Sequence, residues 1–372
     1  MRLAIITLPL HTNYGGLLQA YALQTVLERM GHQVTVIDKR EFSLGLNIPI
    51  RRVVERVKKR FLEHEDCYVF YERKMKQMAP VIRQHTNRFI QSYIHSTKLW
   101  SLRDVKRGQF DGFVVGSDQI WRPVFTPHIA HAYLDFTKGW DVARVAYAPS
   151  FGVDTVEYTP AQIRKCKEAI ARFDAVSVRE KSGVDLCRRY FNVDAKWMVD
   201  PTLLLSKDDY IALIERSDVK ESDGSLFCYV LDSTPAIQQV IDSLTSERSL
   251  TPFYINAYSG NRKVDIEKRV QPPVEAWLRA FMDAEFVVTD SFHACVFSIL
   301  FHKPFAVCVN SGRGVSRLHS LLEAFGLSNR LIQREGDSLK DLPPIDWDDV
   351  DKRLLGYRQE SQKFLSESLR LK

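Results

Sequence analysis

The six cysteines, Cys67, Cys166, Cys187, Cys228, Cys295 and Cys308, include no CxxC pair. Several sit inside apolar runs, as in Phe227-Cys228-Tyr229, so reduced core thiols are expected rather than a zinc site or a disulfide framework. No metal and no cofactor are expected. There is no run of about 18 consecutive apolar residues, so no transmembrane helix is expected either. The apolar run Leu3 to Leu8 is too short for the core of a signal peptide and meets polar His11-Thr12-Asn13 at once. A cytoplasmic protein is therefore expected, with peripheral attachment at the inner face of the plasma membrane as the variant. Charge of one sign is scarce as well: the net +6 over 372 residues points to an anionic substrate or membrane surface. Nucleic acid is not expected, since no nucleic-acid motif, repeat or low-complexity tract is present.

What is present suits a well-packed globular chain, at 45% hydrophobic and 26% charged residues, long enough for two cores. Short β-branched runs alternate with helical stretches, the pattern of βα units with parallel sheets. Strands are predicted at Leu3 to Leu8, Val34 to Ile37, Phe110 to Val115, Arg144 to Ala148, Ala175 to Val178 and Lys196 to Val199, with a helix over Leu17 to Met30. After the polar, aperiodic stretch Ser217 to Ser225 a second series begins, with strands at Leu226 to Leu231, Pro252 to Asn256, Glu285 to Thr289 and Phe305 to Val309. Helices are predicted between them at Ile237 to Ser246, Val274 to Met282 and His293 to Phe301. The reading is α/β: a Rossmann-like domain over residues 1–205, a smaller one over 206–345, and an amphipathic helix in 346–372 that returns to the first domain.

Ligands of open α/β sheets bind beyond the carboxyl ends of the strands. The first strand leads into His11-Thr12-Asn13-Tyr14-Gly15-Gly16, where glycines permit close backbone approach of an anion to a helix start or simply make a tight turn. The third leads into Gly116-Ser117-Asp118-Gln119-Ile120-Trp121, in which Ser117 or Asp118 serves a ligand or caps a helix. Pro149-Ser150-Phe151-Gly152 follows the next strand, and Arg179-Glu180-Lys181 the one after. The fork of Arg179 suits a carboxylate or phosphate, or an internal carboxylate partner. In the second series Thr289-Asp290-Ser291-Phe292-His293 places hydroxyls, a carboxylate and an imidazole at a helix start, suited to phosphate contact or proton delivery, or to a structural histidine. Gly312-Arg313-Gly314-Val315-Ser316-Arg317 offers two arginines for anions or for the surface. Residues 51–61, Arg51-Arg52-Val53-Val54-Glu55-Arg56-Val57-Lys58-Lys59-Arg60-Phe61, put cations opposite an apolar stripe, as in a solvated helix or a segment drawn to anionic lipid.

The ordered set Asn13-Tyr14-Gly15-Gly16-Leu17-Leu18-Gln19-Ala20, Gly116-Ser117-Asp118-Gln119-Ile120-Trp121, Ser177-Val178-Arg179-Glu180, Asp200-Pro201-Thr202 and Thr289-Asp290-Ser291-Phe292-His293-Ala294 resembles the polysaccharide pyruvyl transferase family. That resemblance implies two Rossmann-like domains facing a cleft, as in GT-B glycosyltransferases, and phosphoenolpyruvate as the donor of a pyruvate ketal. The implied acceptor is a sugar, commonly on a lipid-linked oligosaccharide. Arg179 and His293 match the family's donor contacts. One departure stands out: many relatives carry arginine two residues before the histidine, where this chain has Ser291. The candidate proton-transfer groups are His293, Asp118 and Asp290. The candidate substrate contacts are Arg179, Asn13, Gly15, Gly16, Gln19, Ser117, Ser150, Ser291, Phe292 and Arg313. A nucleotide-sugar glycosyltransferase or epimerase, or a non-catalytic glycan-binding protein, would use the same cleft.

Overall fold

The computed structural model describes residues 1–39, 71–257, 264–309, 315–332 and 342–369. The basic segment 51–61 and Arg313 lie outside the described residues. In chain order the first part holds β1 (Arg2–Ile6), α1 (Tyr14–Arg29), β2 (Gln33–Lys39), α2 (Tyr71–Ile82), α3 (Gln84–Tyr93), β3 (Ser96–Leu99), β4 (Gly112–Val115), β5 (Ala143–Ala146), α4 (Pro160–Ile170), β6 (Ala175–Val178), α5 (Lys181–Leu186) and β7 (Lys196–Trp197). There follow α6 (Lys207–Glu215), β8 (Leu226–Tyr229), α7 (Pro235–Arg248), β9 (Pro252–Phe253), α8 (Val274–Asp283), β10 (Phe286–Thr289), α9 (Phe292–Leu300), β11 (Phe305–Cys308), α10 (Val315–Ala324), β12 (Leu331–Ile332) and α11 (Trp347–Ser368).

Leu3, Ala4, Ile5 and Ile6 of β1 are all buried, as a parallel strand covered on both faces requires, which is why its sequence shows no alternation. The α1 helix is capped by Asn13, whose side chain accepts from the Gly16 N–H, and begins at Tyr14, three residues before the predicted start at Leu17. Two strands escape the sequence reading. Both β3 and β12 are short, half-exposed edge strands, and Ser96-Thr97-Lys98-Leu99 has neither an apolar run nor alternation to reveal it.

All the pairings between neighbouring strands are parallel. The first sheet has the order β3-β2-β1-β4-β5-β6-β7, the doubly wound arrangement of dinucleotide-binding folds. The second runs β12-β11-β10-β8-β9, which read from the other edge is the flavodoxin-like order, so the two sheets are not copies of one plan. One buried cluster joins them, running from Leu17 and Tyr14 on α1 to Trp277 and Phe281 on α8 and Phe297 on α9. Tyr14 stacks on Trp277 with centroids 5.5 Å apart, and Tyr210 of α6 meets Phe297 edge-on at 4.8 Å.

The final helix α11 touches both parts. Near its start Asp351 pairs with His302 at 2.8 Å and the Tyr357 hydroxyl donates to the Ala324 carbonyl. Further along, Arg358 donates to the Leu203 and Leu205 carbonyls, and Phe364 packs near Tyr147. Cys166, Cys187, Cys228, Cys295 and Cys308 are buried free thiols. Among the described residues no helix is long and apolar enough to cross a membrane.

Candidate functional site

Strand order reverses between β1 and β4 in the first sheet and between β8 and β10 in the second. A crevice opens at the carboxyl ends of strands at such a switch point. Here the two face each other, so the loops after β1, β4, β8 and β10 form one cleft.

The loop after β4 is shaped by Gly116, whose φ is +143° and where a Cβ would lie 1.9 Å from the Tyr147 carbonyl oxygen. Only glycine fits. Gln19 then braces this loop from α1: its amide accepts from the Ser117 N–H at 2.7 Å and donates to Thr7 Oγ1 and the Gly16 carbonyl at 2.9 and 2.8 Å. Ser117 Oγ lies 3.0 Å from both the Ala148 carbonyl and Asp200 Oδ2. Ser150 Oγ donates to Glu180 Oε1, which also accepts from the Phe151 and Gly152 N–H groups. Gln19, Ser117 and Ser150 are thus buried props of the loops and do not line the cleft.

Beneath the cleft floor lies a buried cluster around Asp200. Its Oδ2 accepts from Arg179 Nη1 at 2.7 Å, and its Oδ1 from the Thr202 N–H and hydroxyl at 3.0 and 2.7 Å. His293 Nε2 stands 3.7 Å from Oδ2. Burial alone would raise this carboxyl, yet His293, Arg179 and the Thr202 hydroxyl hold it well below the usual carboxylate range. Arg179 is the internal partner among the alternatives its sequence position left open. Its side chain is only 1% exposed, its Nη2 stands 3.5 Å from Asp118 Oδ1, and its guanidinium lies 4.5 Å from the centre of the Phe292 ring. Burial works against that charge, but Asp200, Asp118 and Glu180 raise its pKa overall. Glu180 is the converse case: burial pushes its carboxyl up against the pull of Arg179 and Arg317.

The cleft has two lobes. The smaller, of about 420 Å³, is lined by Asn13, Asp118, Gln119, Arg122, Phe125, Leu231, Asp232, Asp290, Ser291, Phe292, His293 and Arg317. The larger, of about 640 Å³, is lined among others by Thr12, Asn13, Gly15, Tyr229, Leu231, Tyr254, Asn256, Gln271, Ser291 and His293. Asn13, Leu231, Ser291 and His293 belong to both and mark the junction. Gly15 makes room there, since a Cβ at that position would fall 2.0 Å from His293 Nδ1.

Of the sequence candidates, Asn13, Gly15, Asp118, Asp290, Ser291, Phe292 and His293 come together on the cleft wall. Gly16 serves the Asn13 cap. Asp290 faces inward to accept the Leu231 and Asp232 N–H groups at 2.8 and 3.0 Å, which pins the loop after β8. Arg122, Tyr229 and Tyr254 were not foreseen as lining residues, nor Asp200 as the hub, and for Arg317 the sequence left the choice between an anion and the surface open. Arg317 left a signal, in the glycine-flanked arginine pair, but its place in the cleft comes from the docking of α10 on α5 through the Ser320 hydroxyl, which accepts from the Lys181 N–H at 3.1 Å. Arg122 followed directly on Trp121, whose burial aims the loop. Among the described residues no group of His, Cys, Asp or Glu is arranged to hold a metal ion.

Solved structures similar to this chain include a UDP-GlcNAc 2-epimerase from Neisseria meningitidis bound to UDP-GlcNAc, at 9% identity, 98% coverage of this chain and 94% of that one, TM-score 0.46. They also include MnaA of S. aureus with UDP, at 13% identity, 97% and 91% coverage, TM-score 0.47, and E. coli ADP-heptose LPS heptosyltransferase II, at 11% identity, 96% and 99% coverage, TM-score 0.36. Comparison with the curated proteins finds no match. The family model for polysaccharide pyruvyl transferase matches residues 13–312, a span that starts at the Asn13 cap and includes the loops after β4, β8 and β10. With most of its length so matched, the chain is a transferase that belongs to the polysaccharide pyruvyl transferase family.

Proposed function

We propose that the protein transfers pyruvate from phosphoenolpyruvate, as a ketal, onto a sugar of a lipid-linked precursor of a surface polysaccharide, releasing phosphate. The observation that carries the reading is the position of His293, at the junction of a lobe containing Arg122, Arg317 and Asp118 with a lobe containing Tyr229, Tyr254 and Asn256. An anionic donor suits the first, and a pyranose ring stacked on tyrosine, with amides for its hydroxyls, suits the second. In the balanced reaction two sugar O–H bonds break and two C–O bonds form at C2 of the donor. One proton ends on the former methylene carbon, and the other leaves with phosphate as the C2–O bond breaks. His293 delivers the proton to carbon or meets the phosphate, with the Asp200 carboxylate 3.7 Å from its Nε2. Asp118, on the cleft wall, accepts a proton from the attacking hydroxyl. Arg179 acts from beneath Phe292, setting the field of the donor lobe rather than clamping the donor directly.

An acceptor on lipid fits the rim. Val124, Phe125, Leu231 and Tyr254 are 65, 48, 42 and 51% exposed, and the last three line the cleft. Attraction of the basic segment 51–61 to the inner face of an anionic membrane would suit the same acceptor.

The test incubates protein, phosphoenolpyruvate and a panel of synthetic and lipid-linked glycans, reading phosphate release and the mass gain of a pyruvate ketal. His293→Ala should fold normally and release phosphate about 10²- to 10⁴-fold more slowly. Gly15→Ala, which displaces the imidazole without altering it, should lose activity in the same direction. Full activity in His293→Ala, or consumption of a nucleotide sugar in place of phosphoenolpyruvate, would sink the reading.

A further inference from the structure

We propose that Arg317, carried into the cleft by α10 of the second sheet, is the direct anion-binding cation of the charged lobe and grips the phosphate of the donor. The argument starts from where the lobe's charges point. The Arg122 guanidinium is held by Glu157 through two hydrogen bonds of 2.9 and 2.8 Å and lies 5.3 Å from the Phe125 ring centre, so its orientation is set from outside the lobe. The Arg179 cation lies under Phe292 and against Asp200 and is shut off from the cleft. Asp290, which would repel an anion, has its carboxylate engaged by two backbone N–H groups.

Arg317 lines the lobe itself, with its guanidinium carbon 5.9 Å from the centre of the same Phe292 ring that covers Arg179. Phenyl and guanidinium thus form one wall of a space that His293 closes on another side. Burial, then the nearby Arg179 charge, bring the Arg317 pKa down to about 10, so it stays cationic at neutral pH in surroundings that an anion would improve. Ser291 stands at the junction of the lobes and its side chain caps nothing. Position 291 thus supplies no cation to this lobe, and α10 brings one through Arg317. The site's existence follows from this geometry, and only the identity of the anion rests on the donor reading above.

Its test is calorimetric titration of inorganic phosphate and of phosphoenolpyruvate into wild type, Arg317→Gln and Arg317→Lys, alongside steady-state phosphate release. Arg317→Gln should weaken both anions about 10- to 100-fold and raise KM for phosphoenolpyruvate more than it lowers kcat. Arg317→Lys keeps a point charge without the planar fork and should recover part of the affinity, which separates anion binding from folding. If wild type binds phosphate, Arg317→Gln does not, and phosphoenolpyruvate is never turned over, the anion site stands and the donor reading fails. Equal affinity of wild type and Arg317→Gln for both anions, or no binding of either by wild type, overturns the proposal.

Discussion

Asp200 shows how much a single buried residue organises. Its two oxygens hold Arg179, Ser117 and Thr202, and it faces His293, so one carboxylate links the floor of the first sheet to the start of α9 beside the second. Because its folded pKa lies below the unfolded value, its stabilisation is fully present above the ordinary carboxylate range and is lost as pH falls through the depressed folded value. Asp200→Asn should therefore destabilise the protein at neutral pH by about 3 kcal/mol, the usual cost of stranding a buried partner charge, and leave a shallower acid limb. Thermal unfolding at a series of pH values measures both. Unchanged melting at neutral pH would show that Asp200 is not the hub. The residue type was visible in Asp200-Pro201-Thr202, but nothing in the sequence could reveal that Arg179 and His293, 21 and 93 positions away, converge on it. For Arg179 the chemistry of an anion-binding fork was legible and its concealment under Phe292 was not, because burial depends on how α9 packs.

At the scale of elements, local patterning carried most of the information. Strands such as β11, found at Phe305–Cys308 inside the predicted Phe305 to Val309, are continuous apolar runs between helices, a signature of burial on both faces. The edge strands β3 and β12 were invisible because an edge needs neither alternation nor a full apolar run. The helix expected from Asp349 is α11, which begins two residues earlier at Trp347 with Asp346 as its cap. It works as a strap, holding the 3₁₀ turn at Pro201–Leu204 through Arg358 and the second part of the chain through Tyr357. Arg358→Ala would leave the Leu203 and Leu205 carbonyls without these donors and should cost about 1 to 3 kcal/mol. Denaturant unfolding checks this, and the variant should keep its affinity for donor, since α11 does not line the cleft. An unchanged midpoint would mean that α11 is held by its apolar stripe alone.

For the whole molecule, the decisive arrangement is that two switch points of different strand order face each other over a continuous core. If the apolar rim of the cleft works at a membrane, the protein should float with vesicles containing anionic lipid and not with zwitterionic ones. Replacing Arg51, Arg52, Arg56, Lys58, Lys59 and Arg60 with glutamine should abolish this, at about 1 kcal/mol per cation lost. Flotation insensitive to those changes or to salt would point away from segment 51–61. By itself the sequence determined the alternation of parallel strands and helices, the loops in which polar residues gather, and the family, because these depend on residues near in the chain. Tertiary structure alone decided which residues meet. The joining of Asn13 and Gly15 with His293, the withdrawal of Arg179, Gln19, Ser117 and Ser150 into support, and the entry of Arg317 and Tyr254 into the cleft all follow from packing one sheet against the other. Such contacts are set by shape and burial over long sequence separations, and a pattern of periodicity and spacing does not encode them.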